Sequence, residues 1–95
     1  MNKSETIAYN ELKREGYLVE KPRRSQWQPQ DFFYAWDFIA LSSKHIRFIQ
    51  VSSKYLSQRS REDQKRMREF PNPPNTQKEY WRWKAKDKTF IKEIL

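Results

Sequence analysis

The sequence predicts a single α/β domain over residues 1–95, in which helices flank a mixed β-sheet. Two stretches with helical periodicity, Ser4 to Glu15 and Ser57 to Phe70, are separated by short apolar or alternating segments typical of strands. The predicted order is a helix, three strands, a helix and two strands. A helix between the third and fourth strands favours their parallel arrangement in one sheet.

The first helix is predicted from Ser4 to Glu15. Ser4 is a plausible N-cap, Glu5 lies in the first turn where the helix dipole favours an acid, and Gly16, the only glycine, ends the helix. Helical spacing places Glu5 on one face with three apolar or aromatic residues: Ala8, Tyr9 and Leu12. Glu5 is thus either an inward-facing functional acid or an ordinary first-turn acid.

Residues 17–20 predict the first strand, and Trp36 to Leu41 and Ile46 to Val51 predict a hairpin around the loop 42–45. If Leu41 pairs with Ile46, Asp37 lies opposite Gln50. Alternation along the strand then puts three polar residues on the Asp37 face: Gln50, Ser52 and Lys54. This face is either a functional site or a solvated strand end.

The second helix is predicted from Ser57 to Phe70, with Ser60 and Asp63 spaced as a capping box. A proline-rich loop stops it. Alternation over residues 78–85 predicts a half-buried strand that directs Trp81 and Trp83 into the core, and residues 89–95 predict an extra C-terminal strand.

The charge distribution makes nucleic acid the leading class of partner. Twenty Lys and Arg residues face twelve Asp and Glu residues, which leaves a net charge of +8 that attracts polyanions. Two stretches are candidates for this contact. The loop after the first strand mixes cations with Trp27, and the second helix carries several cations on its polar surface; either stretch could instead be merely solvated. The candidate nucleic-acid-binding residues are Lys21, Arg23, Arg24, Trp27, Arg59, Arg61, Lys65 and Arg66.

Composition also limits the chemistry. The chain has no cysteine and one histidine, which excludes a disulfide framework, a thiolate nucleophile and a Cys- or His-rich zinc site, so any metal must bind oxygen ligands. No apolar run approaches the roughly 20 residues of a membrane span, and residues 1–4 lack the apolar core of a signal peptide. We expect a soluble, cytoplasmic protein without a membrane or small-molecule cofactor partner.

Several of these residues together resemble a known family. A helix carrying Glu5, a strand opened by Gly16 and Tyr17, the stretch Trp36-Asp37-Phe38-Ile39-Ala40-Leu41 and the stretch Phe48-Ile49-Gln50-Val51-Ser52-Ser53-Lys54 resemble the PD-(D/E)xK nuclease superfamily, nearest to its archaeal Holliday-junction resolvase-like branch. The resemblance runs from about Ser4 to Lys54. It implies a restriction-endonuclease-like α-β-β-β-α-β core.

The resemblance implies a catalytic site built on Glu5, Asp37, Gln50, Ser52 and Lys54. In this family the first two acids and the acid of the (D/E)-x-K element hold Mg²⁺ or Mn²⁺, so the implied metal ligands here are Glu5, Asp37 and Gln50. Two residues depart from the pattern: Gln50 replaces the acid and Ser52 replaces the lysine. Lys54, about 6.6 Å further along the strand, is the candidate replacement for that lysine.

Two functions remain open at this point. The chain is either a metal-dependent endonuclease acting on DNA, with branched or structured DNA among the candidate substrates, or a catalytically inactive nucleic-acid-binding or assembly module of the same fold. The family resemblance and the small core both favour a homodimer. Whether Lys54 serves the Asp37 site is the feature that separates the two functions.

The excess of cations predicts salt-sensitive DNA binding. Because binding releases counterions condensed on DNA, affinity should fall steeply as the salt concentration rises. Reversing Arg23 and Arg24 to Glu should weaken binding to every DNA sequence without unfolding the domain. Fluorescence anisotropy over a salt series measures this, with circular dichroism as the folding control. No binding to duplex or branched DNA at low salt would contradict the nucleic-acid hypothesis.

Overall fold

The computed structural model describes residues 1–22, 31–33, 35–53 and 58–95, and for residues 58–60 it describes the backbone only. The described part is an α/β fold, as predicted. Its elements are α1 (Lys3–Arg14), β1 (Leu18–Glu20), β2 (Phe38–Leu41), β3 (Ile46–Ser52), α2 (Gln58–Glu69), β4 (Thr76–Lys84) and β5 (Thr89–Ile94). Neither described helix is long and apolar enough to cross a membrane.

The five described strands form one mixed sheet in the order β1-β2-β3-β4-β5. The β1–β2, β2–β3 and β4–β5 pairs are antiparallel. The β3–β4 pair is parallel, with Ile46 opposite Thr76 and Ser52 opposite Arg82. The predicted parallel pair is therefore confirmed, because α2 returns the chain to the end of the sheet at which β3 began.

Helix α1 begins earlier than predicted, and its N-cap is Asn2 rather than Ser4. The Glu5 N–H donates to Asn2 Oδ1 at 2.8 Å, and the Asn2 N–H donates to Glu5 Oε2 at 3.3 Å. Asn and Ser both cap helices well, and the choice falls on Asn2 because Glu5 then stands three residues later and completes a capping box. Gly16 follows the helix with a φ of 93°, a backbone conformation that glycine adopts readily.

The predicted hairpin register is confirmed. Leu41 lies opposite Ile46 and Phe38 opposite Ile49, and the Ser42 N–H donates to the His45 carbonyl across the loop at 3.0 Å. The predicted capping box at Ser60 and Asp63 is wrong. Helix α2 begins at Gln58, so Ser60 lies inside the helix, and the Asp63 carboxylate binds the Arg66 side chain instead.

Two hydrophobic clusters cover opposite faces of the sheet. The first cluster packs α1 against the sheet and consists of Ala8, Leu12, Val19, Phe38, Ala40, Ile49, Val51, Trp81 and Phe90. The second cluster joins Trp36, Met67 on α2 and Tyr80, with Phe48 and Phe70 packed against them. Strand β4 is therefore buried on both faces at Tyr80 and Trp81 rather than half-buried as predicted, since each face has a helix over it. Trp81 is fully buried, whereas Trp83 is only partly so.

A buried ion pair links β3 to β4 under α1. Arg47 donates to the Glu79 carboxylate through Nε at 2.5 Å and through a terminal nitrogen at 2.7 Å. The Trp81 indole N–H donates to the same carboxylate at 3.0 Å, and Glu79 is only 3% exposed. These charge-assisted bonds raise the pKa of Arg47 further above its ordinary value. The pair thus satisfies two charges that the sheet could not bury separately.

This burial predicts that Glu79→Ala destabilises the fold strongly. Removing the carboxylate leaves the Trp81 indole without its acceptor and the Arg47 guanidinium with only the more distant Glu15 at 3.6 Å, at a cost of about 3–5 kcal/mol. Glu11→Ala is the matched control, because the Glu11 pair with Lys92 (2.7 Å) is partly exposed, and we expect a loss of at most about 1 kcal/mol. Urea unfolding of both variants measures the difference, and equal losses would show that the buried pair has no special weight.

Candidate functional site

Asp37 lies one residue before β2, with its carboxylate turned toward β3. Its N–H donates to the Ile49 carbonyl at 2.9 Å, and its Oδ2 accepts the Val51 N–H at 2.8 Å. The residue is only 7% exposed. These two bonds hold the carboxylate at the end of the hairpin, so its position follows from the β2–β3 register.

Gln50 is the neighbour of Asp37 on β3, where the register predicted it. With its amide nitrogen turned toward acceptors, Gln50 donates to the Ala35 carbonyl at 2.6 Å and to Asp37 Oδ2 at 3.3 Å. A half turn of the amide exchanges its oxygen and nitrogen, and this is the orientation in which both find partners. Gln50 therefore acts here as a hydrogen-bond donor to the acid.

Glu5 reaches the same region from α1. The carboxylate lies in the first turn and is buried, because Glu5 shares the inward face of the helix with Ala8 and Leu12. Its Oε2 accepts the Asn2 N–H, which ties the carboxylate to the helix end. Glu5 therefore serves the capping box and also contributes to the wall of a cavity.

The cavity has a volume of about 610 Å³, within the usual range for small-ligand sites. Its acidic residues include Glu5 from α1, Asp37 before β2, and Asp31 from the segment that precedes the hairpin. The other lining residues are Met1, Glu20, Lys21, Pro22 and Phe38. The structure thus brings Glu5 and Asp37 to one cavity from separate elements.

The electrostatics of the cavity depend on Asp37. Burial, with smaller contributions from the neighbouring carboxylates of Asp31 and Glu5, raises the pKa of Asp37 to about 7 against the opposing effect of the Val51 hydrogen bond. A carboxylate in this state gains from the approach of a cation. A strongly raised pKa in a cleft is also typical of functional acids.

Asp31 is a site residue that the sequence pattern did not single out. An isolated antiparallel bridge pairs Phe32 with Trp36, with backbone bonds of 2.8 and 3.0 Å between them. Continuing that pairing by one residue puts Asp31 opposite Asp37, and the two carboxyl groups share a hydrogen bond. The sequence feature that could have pointed to Asp31 is the spacing of Phe32 and Trp36, because three intervening residues allow the chain to turn back on itself.

Ser52 and Lys54 carry the other predicted catalytic positions. Ser52 is the last residue of β3, is partly buried and lies two residues beyond Gln50, so alternation puts both side chains on one face. Lys54 lies outside the described residues.

The predicted nucleic-acid-binding residues fall into two groups. Lys21 lines the acidic cavity, and Arg61, Lys65 and Arg66 are exposed on α2, where Arg66 pairs with Asp63. Arg23, Arg24 and Trp27, and the side chain of Arg59, lie outside the described part of the chain. Lys21 is thus the one member of the set that the structure brings to the carboxylates.

Within the part of the chain that the structure describes, no group of three or more His, Cys, Asp or Glu side chains is arranged to hold a metal ion. Two of the cavity acids are already engaged in hydrogen bonds. Glu5 is engaged at the helix end and Asp37 with the Val51 N–H. A shared ion would have to compete with these bonds.

Comparisons with protein-family models, with curated proteins and with solved structures found no match to this chain. The chemistry of the site is therefore the basis for a functional proposal.

The raised pKa of Asp37 predicts a pH-dependent stability. Between about pH 4 and pH 7 the folded chain holds a proton on Asp37 that the unfolded chain has released, so this contribution is complete below pH 4 and is lost as the pH rises through 7. Asp37→Asn keeps an oxygen for the Val51 N–H and removes the titration. Relative to wild type, this variant should gain a few kcal/mol by pH 8 and little at pH 4.

Urea unfolding at several pH values measures this difference. Asp87→Asn is the control, because Asp87 is exposed in the β4–β5 turn and faces only Lys84 at 3.5 Å. A difference between wild type and Asp37→Asn that stays constant from pH 4 to pH 8 would contradict the raised pKa.

Proposed function

We propose that this protein is a metal-dependent endonuclease-like protein that acts on DNA, with branched or structured DNA among its substrates. The observation that carries the proposal is the meeting of Glu5, Asp31 and Asp37 at one cavity of a strongly basic chain. Carboxylates repel the phosphates of bound DNA unless a cation lies between the two. Such a cation is what phosphodiester hydrolysis uses.

The fold supports the same proposal. The order from α1 to β4 is α-β-β-β-α-β, with β3 and β4 parallel, and β5 is the additional C-terminal strand. This is the order expected of a restriction-endonuclease-like core. The resemblance would assign Asp37 and Gln50 to the acidic positions of the PD-(D/E)xK pattern, and Glu5 lies on the first helix, as that assignment expects.

The donors at the cavity suit a hard divalent cation, because Mg²⁺ and Mn²⁺ prefer carboxylate oxygens. Glu5, Asp31 and Asp37 line the cavity, but the described structure does not arrange them as a metal cluster, so an ion would have to draw these carboxylates together. A bound cation would also lower the raised pKa of Asp37. When bound, the ion would polarise the phosphodiester and lower the pKa of the attacking water.

The chain's own residues have separate roles in this proposal. Asp37 Oδ2 accepts from the Val51 N–H and from the Gln50 amide, which holds the carboxylate where it lines the cavity. Lys21 at the cavity supplies a cation for a phosphate. Lys54 is the candidate for the positive charge near the attacking water, since Ser52 has no charge to offer.

The second candidate function is a non-catalytic nucleic-acid-binding module. The contact of the Gln50 amide nitrogen with Asp37 favours it, because a donor there partly offsets the charge that would attract a cation. If this is the function, wild type should be inert, and Gln50→Glu with Ser52→Lys should create cleavage by restoring a charged ligand and an ammonium group.

For a nuclease, wild type should cleave at least one of linear, flapped and four-way DNA with Mg²⁺ or Mn²⁺. Asp37→Asn should lower the rate at least about 100-fold, since it removes a charged ligand from the reacting site. Asp87→Asn, which changes the same chemical group far from the cavity, should retain wild-type activity. Gel assays measure cleavage. Wild type inert on every substrate with both metals would refute the nuclease proposal.

Lys54 has its own test. Lys54→Ala should abolish metal-dependent cleavage while DNA affinity stays nearly unchanged, because one cation among the twenty Lys and Arg residues adds little to binding. Lys44→Ala is the control, since Lys44 is an exposed lysine in the hairpin loop. Cleavage rates and anisotropy titrations separate the two effects. Equal cleavage by Lys54→Ala and wild type would exclude Lys54 from the reaction.

A further inference from the structure

Phe33 is a described aromatic residue with an exposed ring and an unfavourable backbone conformation. Its ring is exposed, with a fraction of 68%, although it is a large apolar side chain. Its φ is 54°, in the left-handed region that a bulky residue rarely adopts and that costs roughly 1–2 kcal/mol. Glycine or asparagine would fill this turn position more easily, so the ring is maintained against both solvation and backbone preference.

Two backbone bonds and one ring contact position Phe33. The turn is closed by the Phe32–Trp36 backbone bonds, and the Phe33 ring lies against Phe70 with 5.3 Å between ring centroids. Phe70 in turn packs edge-on against Trp36 and Phe48, at 5.6 Å in both cases. Phe33 is therefore the outermost member of an aromatic stack that is anchored in the second hydrophobic cluster.

The charge beside this ring is favourable for an anion. Three cations, Lys65, Arg66 and Arg68, are exposed in the last turns of α2 and outnumber the exposed acid there, Glu69, although Arg66 also pairs with Asp63. A helix C-terminus normally repels phosphate, but here Lys78 donates to the Arg68 carbonyl at 2.6 Å and to the Phe70 carbonyl at 2.7 Å. The buried ammonium group thus offsets the negative helix end and fixes the backbone of Phe70.

The position of Phe33 also relates it to the acidic cavity. Asp31, which lines that cavity, lies two residues earlier, so the two Cα atoms are at most about 7.6 Å apart. With a rise of about 3.4 Å per nucleotide, this distance corresponds to roughly two nucleotides. The Phe33 ring faces Phe70 while Asp31 lines the cavity, so a strand whose base rests on Phe33 would pass across this turn before its backbone meets the carboxylates.

We propose that Phe33 is a stacking platform for an unpaired nucleobase and that it directs DNA with unpaired or displaced bases to the acidic cavity. Every base has an aromatic face, so an exposed ring beside cations binds single strands without reading their sequence. A base inside a continuous duplex keeps its own stacking partners and cannot use the ring. This proposal depends on the proposed function's binding of DNA, and it specifies the substrate class as DNA with unpaired bases.

The test is DNA binding in the presence of EDTA, which excludes cleavage. The probe is a flapped duplex carrying 2-aminopurine at its unpaired base, compared with a continuous duplex of the same length. Phe33→Ala should weaken binding of the flapped probe about 5- to 100-fold, the range for loss of one base–aromatic stack, and should change duplex binding little. Phe33→Trp should restore both affinity and the quenching of 2-aminopurine fluorescence.

Leu18→Ala is the matched control, because Leu18 is an exposed apolar side chain with the same exposed fraction of 68% on the edge strand β1. It should bind both probes as wild type does. Phe33→Gly separates the ring from the backbone: removing the left-handed penalty should leave thermal stability equal or higher, while flapped-probe binding falls as in Phe33→Ala.

The outcomes distinguish the platform from the proposed function. If wild type binds neither probe at low salt, the DNA-acting function fails and the platform with it. If wild type binds but Phe33→Ala keeps its preference for the flapped probe, the platform alone is refuted. If Phe33→Ala instead changes the sedimentation of the free protein with no effect on DNA, the ring is a contact with a second copy and the platform is again refuted.

Discussion

The antiparallel ladder between β2 and β3 is the constraint on which the rest of the structure depends. Its register carries Asp37 to the end of the hairpin, where the backbone N–H of Val51 binds the carboxylate at 2.8 Å. Because side chains alternate along a strand, a slip of one residue would turn Asp37 and Gln50 toward different faces. The same strand β3 forms the parallel ladder with β4, so a change of register would also disturb the buried Arg47–Glu79 pair.

Charge is separated over this small domain. The net charge is +8, yet the cavity collects Glu5, Glu20, Asp31 and Asp37 and has only Lys21 as a described basic member of its lining. The exposed cations of α2 lie on that helix, which contributes no described residue to the cavity lining. This separation gives the cavity a local field opposite in sign to that of the exposed cations, and the proposed function uses it as the place for a small cation. The burial of Asp37 makes that place sensitive to protonation near neutral pH.

The aromatic residues connect the packing of the domain to its surface. Trp36 and Phe48 close the second hydrophobic cluster, and Phe70 extends it toward the end of α2. Residues that stabilise the core thus also support the turn that carries Asp31 and Phe33. In a chain of 95 residues the core is small, and each large ring contributes a sizeable share of the buried apolar area.

The sequence by itself determined the order of the elements, the hairpin register and the parallel β3–β4 pair. These depend on local patterns: apolar alternation, a loop of defined length and a helix long enough to cross the sheet. It also indicated Glu5 and Asp37, because an acid on an otherwise apolar face is visible without coordinates. The predicted N-cap, Ser4, was wrong: both residue types cap helices, and only the capping partner Glu5 decides in favour of Asn2.

Only the tertiary structure decided what surrounds those acids. Asp31 joins Asp37 through a turn closed by a single backbone bridge, an arrangement too short to leave a periodic pattern in the sequence. The orientation of Gln50 depends on the Ala35 carbonyl, fifteen residues earlier in the chain. Burial on both faces of β4 depends on where α1 and α2 pack. Such features arise from contacts between distant segments, whereas the sequence pattern reports mainly on neighbours along the chain.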